Sequence, residues 1–147
     1  MQTFTTYSDL RESARCLDSK RLNKQLVETK QIYDTIVNNK KAWSNHPVVN
    51  LWRGCEAGLL LYGKIHYEEW KERYVLGLRG GKLTHKSGEE MVSEYYNRVT
   101  EIIKFPSCIY DDNFLISHRS NLVRKNPEYY SKFWPNTPNN IPYYWPA

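Results

Sequence analysis

Cysteine is scarce in this chain: Cys16, Cys55 and Cys108 are the only three, with no short C-x-x-C spacing. An odd and scattered set excludes a disulfide framework and a zinc knuckle, so reduced, buried thiols are expected. No run approaches the roughly 20 apolar residues of a membrane helix, and the N-terminus lacks a basic segment leading into an apolar one. A soluble, intracellular protein with no membrane partner is therefore expected. His46, His66, His85 and His118 show no H-E-x-x-H or other paired spacing, so neither a metal nor another cofactor is expected. A G-x-S-x-G elbow, a P-loop and an internal repeat are all missing.

Acidic residues are also in deficit, 16 Asp and Glu against 21 Lys and Arg, giving a formal net charge of +5 and a pI near 9.0. That balance favours a polyanionic partner. Aromatics are abundant at 14%, with 12 Tyr and 5 Trp, and flat side chains beside positive charge suit unstacked bases. At 147 residues, 40% hydrophobic and 25% charged, the chain fits one globular domain with a real core.

The chain is organised around Leu17 to Val37. At 100° per residue, Leu22, Leu26, Thr29, Tyr33 and Ile36 form one stripe, while Arg21, Lys24, Gln25 and Glu28 share a face about a third of a turn away. Glu28 is thus a carboxylate on a basic face; an ordinary i, i+4 pair with Lys24 explains it equally well. Upstream, Ser8 could cap a first turn, and with Asp18 or Ser19 capping the main helix, Leu10 to Cys16 becomes a separate short helix.

Asn45 or His46 is expected to cap the next helix, with Pro47 in its first turn. Trp52, Cys55, Leu59, Tyr62, His66 and Trp70 predict one long amphipathic helix from Val48 to Tyr74, whose Gly54, Gly58 and Gly63 either mark a kink or, the favoured reading, allow close packing against the Leu22 to Ile36 stripe. Leu76 to Lys86 reads as a basic loop, mobile and near a backbone phosphate. Ser87 to Glu90 resembles a capping box opening a third, core helix that runs to Phe105-Pro106. Asp112 or Asn113 is expected to cap a helix through Phe114, Leu115, His118 and Leu122, and the tail from Trp134, with four prolines, packs as extended chain. The predicted fold is all-α: a compact single domain over 1–147 with three principal helices, short extra helices and an aromatic, proline-rich C-terminal tail.

Two groups remain as candidates for chemistry. One is Glu28. The other is the α-amine of Met1, a nucleophile near neutral pH because such amines titrate near ~8, against ~10.4 for lysine.

The segments MQTF, LDSKRLNKQLVE, NHPVVNLWRGCE, SHRSNLVRK and the terminal PYYWPA resemble the pyrimidine-dimer DNA glycosylase (T4 endonuclease V-like) family, above all its bacterial and phage members. The resemblance covers nearly the whole chain and implies a DNA N-glycosylase acting on damaged or modified pyrimidines, with AP lyase activity through an imine on the terminal amine. The implied catalytic residues are Met1 and Glu28. The implied DNA-binding residues are Arg21, Lys24, Gln25, His46, Arg53, His118, Arg119, Tyr143, Tyr144 and Trp145. Double-stranded DNA is the implied partner, the protein a monomer, and its setting the cytoplasm of a bacterial or phage-infected cell.

Two positions depart from the family pattern. The arginine preceding the family glutamate is Val27 here, so its phosphate contact passes to Arg21, Lys24 or Arg119. Residue 2 is Gln, behind which methionine is retained, so either Met1 carries the attacking amine or Glu28 activates water. An enzyme acting on a hypermodified base and a non-catalytic DNA-binding protein are the competing readings.

Overall fold

The computed structural model describes residues 1–146, and all regular structure among them is helical. In chain order the helices are α1 (Leu10–Cys16), α2 (Ser19–Val37), α3 (Pro47–Trp52), α4 (Glu56–Val75), α5 (Lys86–Asn97), α6 (Asp112–Lys125) and α7 (Pro127–Tyr130), with a 3-10 turn at Ser107–Tyr110. The all-α expectation holds. None of the described helices is long and apolar enough to cross a membrane. The chain forms two compact units: Met1–Thr3 with Ser19–Pro106, and Phe4–Asp18 with the chain from Ser107 onward.

In the first unit the core contains most of the predicted stripe of α2. Leu22, Leu26, Thr29 and Tyr33 are buried there, while Ile36 is only half-buried and Ile32, outside the predicted stripe, is buried in its place; α2 packs on α4 and α5. Gly63 makes this possible, because a β-carbon there would overlap the Met91 sulfur and press on the Thr29 methyl. Gly58 brings the backbone of α4 against the Lys104 carbonyl, and Gly88 sits on the Tyr67 ring. Close packing against the α2 stripe matches the expectation at Gly63; Gly58 is closely packed too, but against Lys104 and Phe105 instead of α2.

Four expectations fail here. The long helix predicted from Val48 is two helices, because Gly54 adopts φ +82°, a left-handed conformation that ends one helix before Cys55 starts the next. The third helix stops at Asn97, where the Arg98 amide turns back to the Glu94 and Tyr95 carbonyls; Val99 and Ile102 beyond it are exposed. Of its residues only Gly88 and Met91 are buried, so it lies on the core instead of forming it. Its N-cap is His85, whose ring nitrogen accepts from the Gly88 amide, and not Ser87.

The Leu76 to Lys86 loop is tied down as well. The Arg79 guanidinium lies over the Trp70 ring, 3.2 Å from its centroid, and donates to the carbonyls of Trp70, Gly80 and Lys82. That side chain is used up within the loop and is not offered to a phosphate.

In the second unit α1 has the predicted span, capped by Asp9 and not Ser8. Helix α6, at 14 residues, is capped by Asp111 and is a fourth substantial helix. The tail, predicted extended from Trp134, opens instead with a turn in which the Thr137 amide donates to the Trp134 carbonyl, and it runs extended along α6 only further on: the Ile141 amide donates to Ser120 Oγ, the Tyr144 amide to Ser117 Oγ, and Asn121 to the Ile141 carbonyl.

Candidate active site

Residues 1–3 enter the first unit as extended chain, and every polar group of Gln2 but one is occupied. The Gln2 amide donates to Glu28 Oε2 at 3.3 Å. Its carbonyl accepts from Gln25 Nε2, and its own side-chain oxygen accepts from the Thr3 amide at 2.9 Å. Thr3 Oγ1 in turn accepts from Trp52 Nε1 at 2.9 Å. Since consecutive backbone nitrogens lie less than ~4 Å apart, the α-amine of Met1 is within about 7 Å of the Glu28 carboxylate. Gln2 Nε2 is the exception, buried with no partner.

Behind this segment stands a chain of fixed rings and amides. The buried Tyr62 hydroxyl donates to Gln25 Oε1 at 3.1 Å. That fixes the Gln25 amide with its NH2 towards the Gln2 carbonyl. Tyr62 stacks on His66 with ring centroids 3.9 Å apart, and His66 Nδ1 lies 2.7 Å from the Tyr62 carbonyl, so Nδ1 carries the proton. Burial, followed by the Glu28 charge, holds the Tyr62 hydroxyl well above its ordinary pKa. It therefore remains a donor at any pH the protein meets.

Glu28 is less open than its helical position implies, with its side chain 19% exposed against 73% for Lys24. Their oxygen and nitrogen are 3.9 Å apart, a loose surface pair of the kind worth at most about 1 kcal/mol. The simple i, i+4 pairing therefore accounts for little of Glu28's placement. The carboxylate faces the terminal segment.

His46 completes the group. It caps α3, its Nδ1 accepting from the Val48 amide at 3.1 Å, which leaves the hydrogen of the neutral ring on Nε2. Burial and then the charge of the terminal amine lower its pKa, while Glu28 pulls the other way. Amine, carboxylate and imidazole are thus mutually within electrostatic reach, and His46 is neutral at pH 7.

The remaining expected DNA-binding residues divide. Arg21 is half-buried and Lys24 exposed on α2. Arg53 is exposed, with its guanidinium donating to Asn50 Oδ1 and to the Ser44 carbonyl. Gln25 is 2% exposed, and its burial leaves it no surface for DNA. In the second unit, His118 is also buried, accepting from the Thr5 amide at 2.9 Å and packed edge-on to Tyr143; it too cannot reach DNA from this position. Arg119 donates to the Thr6 carbonyl and lies 4.4 Å from the Tyr7 ring centroid. Tyr143 and Trp145 are half-buried and Tyr144 is exposed.

Sequence reasoning missed Gln2, Thr3, Trp52 and Tyr62 as a set. The available signal was Gln25, which lies at the edge of the basic face next to the apolar stripe, where a polar side chain that turns inward needs an internal partner.

Beyond the geometry, a family model for pyrimidine dimer DNA glycosylase matches residues 1–77. This is more than half of the chain and includes the whole terminal segment, Glu28, His46 and Tyr62. The chain belongs to the pyrimidine dimer DNA glycosylase family. It is a DNA-repair enzyme whose substrate is DNA. No curated protein and no solved structure matches it.

Proposed function

We propose that the protein excises damaged pyrimidines by using the Met1 α-amine as nucleophile, with Glu28 beside it, and that it then nicks the abasic strand. The observation that carries this reading is the hydrogen bond from the Gln2 amide to Glu28, which ties the chain end to the only carboxylate of the α2 basic face. The neutral amine attacks C1′ of the damaged nucleotide as the C1′–base bond breaks, and the base departs with the bonding pair and takes up a proton. Loss of the amine proton and opening of the sugar ring give an imine between Met1 and C1′. Removal of a C2′ proton then expels the 3′ phosphate by β-elimination. Glu28 stabilises the positive charge that develops on the sugar and takes part in these proton transfers.

Gln25 and Tyr62 are positioning residues in this scheme, because they hold the Gln2 carbonyl and with it the direction in which Met1 points. Neutral His46 offers its Nε2 hydrogen to DNA without adding a second positive charge beside the amine. Arg21, Lys24 and Arg119 supply phosphate contacts, and Arg53, Tyr143, Tyr144 and Trp145 are further DNA-binding residues.

The test is to block the amine, by acetylation or by one residue added before Met1, and to assay ultraviolet-irradiated duplex with borohydride. Loss of both base release and the trapped protein–DNA adduct is expected. If base release survives the block, Glu28 activates water instead and the amine assignment is wrong.

A further inference from the structure

The segment between α2 and α3 holds a conformation that is expensive for the residue occupying it. Trp43 adopts φ +67°, a left-handed backbone that bulky side chains avoid. The turn is enforced by hydrogen bonds, from the His46 amide to the Trp43 carbonyl and from the Ser44 amide to the Lys41 carbonyl, and by Arg53 donating to the Ser44 carbonyl at 2.7 Å. Burial does not compensate the strain, because Trp43 is 62% exposed. Its ring neighbour is His46, with centroids 6.0 Å apart, the same His46 whose ring feels both the terminal amine and Glu28. Trp52, Trp70 and Trp134, by contrast, are buried.

A strained backbone and a solvent-facing indole both oppose folding, so the turn is built to present the ring and not to pack it. It presents the ring at the edge of the candidate active site, with exposed Lys40 and Lys41 in the same turn. We propose that Trp43 is a stacking platform for a nucleobase turned out of the duplex at the lesion. The proposal rests on the site reading given above. An unstacked base is the occupant that fits, because its flat apolar face matches the indole and its phosphates match the flanking lysines. The duplex around a pyrimidine dimer is weakly stacked, so eversion there costs less than in intact DNA.

The experiment compares wild type with Trp43→Gly, Trp43→Ala and Trp43→Phe. Affinity is measured for a duplex carrying one thymine dimer and for the same duplex undamaged, beside thermal midpoints and base release. Glycine suits the left-handed backbone, so Trp43→Gly is expected to melt at or above the wild-type midpoint. The same variant should lose roughly ten- to a hundredfold in affinity for the dimer duplex and no more than about twofold for the undamaged one. Trp43→Ala should lose dimer affinity similarly, and Trp43→Phe should recover most of it.

Equal losses on both duplexes would overturn the proposal, as would unchanged dimer affinity. A lowered midpoint in Trp43→Gly would make the indole structural and overturn it too. Absence of base release by the wild type would instead sink the catalytic reading, leaving the affinity difference to decide on Trp43 alone.

Discussion

Two histidines buried in their neutral form make this fold sensitive to acid, and the size of the effect follows from their surroundings. His66 and His118 are fully buried, and burial lowers their pKa from 6.5 to about 4 and about 3. In the unfolded chain both titrate near the ordinary value. Between pH 6.5 and 4 the unfolded state therefore binds protons that the folded state refuses, and stability falls as pH falls. Each histidine contributes a slope of about 1.4 kcal/mol per pH unit. Over that window the loss is about 3 kcal/mol from each and roughly 6 kcal/mol together, comparable to the whole stability of a typical domain. Urea unfolding followed by far-ultraviolet circular dichroism at pH 7, 6, 5 and 4.5 measures the slope directly. His118→Asn retains an acceptor for the Thr5 amide and should halve the slope whatever it does to stability at pH 7. Unfolding free energies that stay level from pH 7 to 4.5, or a slope that His118→Asn leaves intact, would refute the argument.

Glu28→Gln should abolish base release and leave DNA affinity unchanged or slightly higher, as a filter-binding assay beside a release assay will show; normal turnover in that variant would remove Glu28 from the chemistry. Neutralising Lys24 should weaken binding to damaged and undamaged duplex alike and reduce the salt slope by about 1, measured by titration between low and moderate salt. Gly58→Ala should destabilise by roughly 2 kcal/mol despite alanine's better helix propensity, because the added methyl overlaps the backbone Lys104 oxygen and not a flexible side chain; an unchanged urea midpoint would contradict that.

Much of the helical scaffold was legible because apolar periodicity records burial. The stripe from Leu22 to Tyr33 lies where the pattern put it, α1 has the expected limits, and His46 with Pro47 opens α3 as their side-chain chemistry requires. Where the pattern misled, a backbone requirement had overridden it. Gly54 looks in sequence no different from Gly58 and Gly63, open to close packing or to a kink; it supplies a positive φ, and one sequence cannot distinguish the two uses of a missing β-carbon. Val99, Ile102 and Ile103 kept a helical spacing after the helix had ended, since spacing alone does not show whether a face has a partner.

The candidate site was half legible. Glu28 stood out by its charge, and the amine by elimination. The buried tie from Tyr62 through Gln25 to Gln2 joins residues 60 positions apart, and such long-range hydrogen bonds leave no local signature. Gln25 and His118, expected at the DNA, are inside for the same reason: a polar side chain with an internal partner looks in sequence like one awaiting an external partner.

The uneven placement of the tryptophans also gives the protein its own optical reporters. Trp52 is enclosed, hydrogen-bonded to Thr3 and 5.8 Å from the Tyr62 ring, so its emission should be blue-shifted and closed to iodide, and should change when the terminal segment comes loose. Trp43 emits from the solvent side and should be the indole that iodide quenches most readily. Illumination at the red edge of the indole band, with and without quencher, would therefore follow the anchoring of the chain end and the edge of the site as two separate signals, with no label attached.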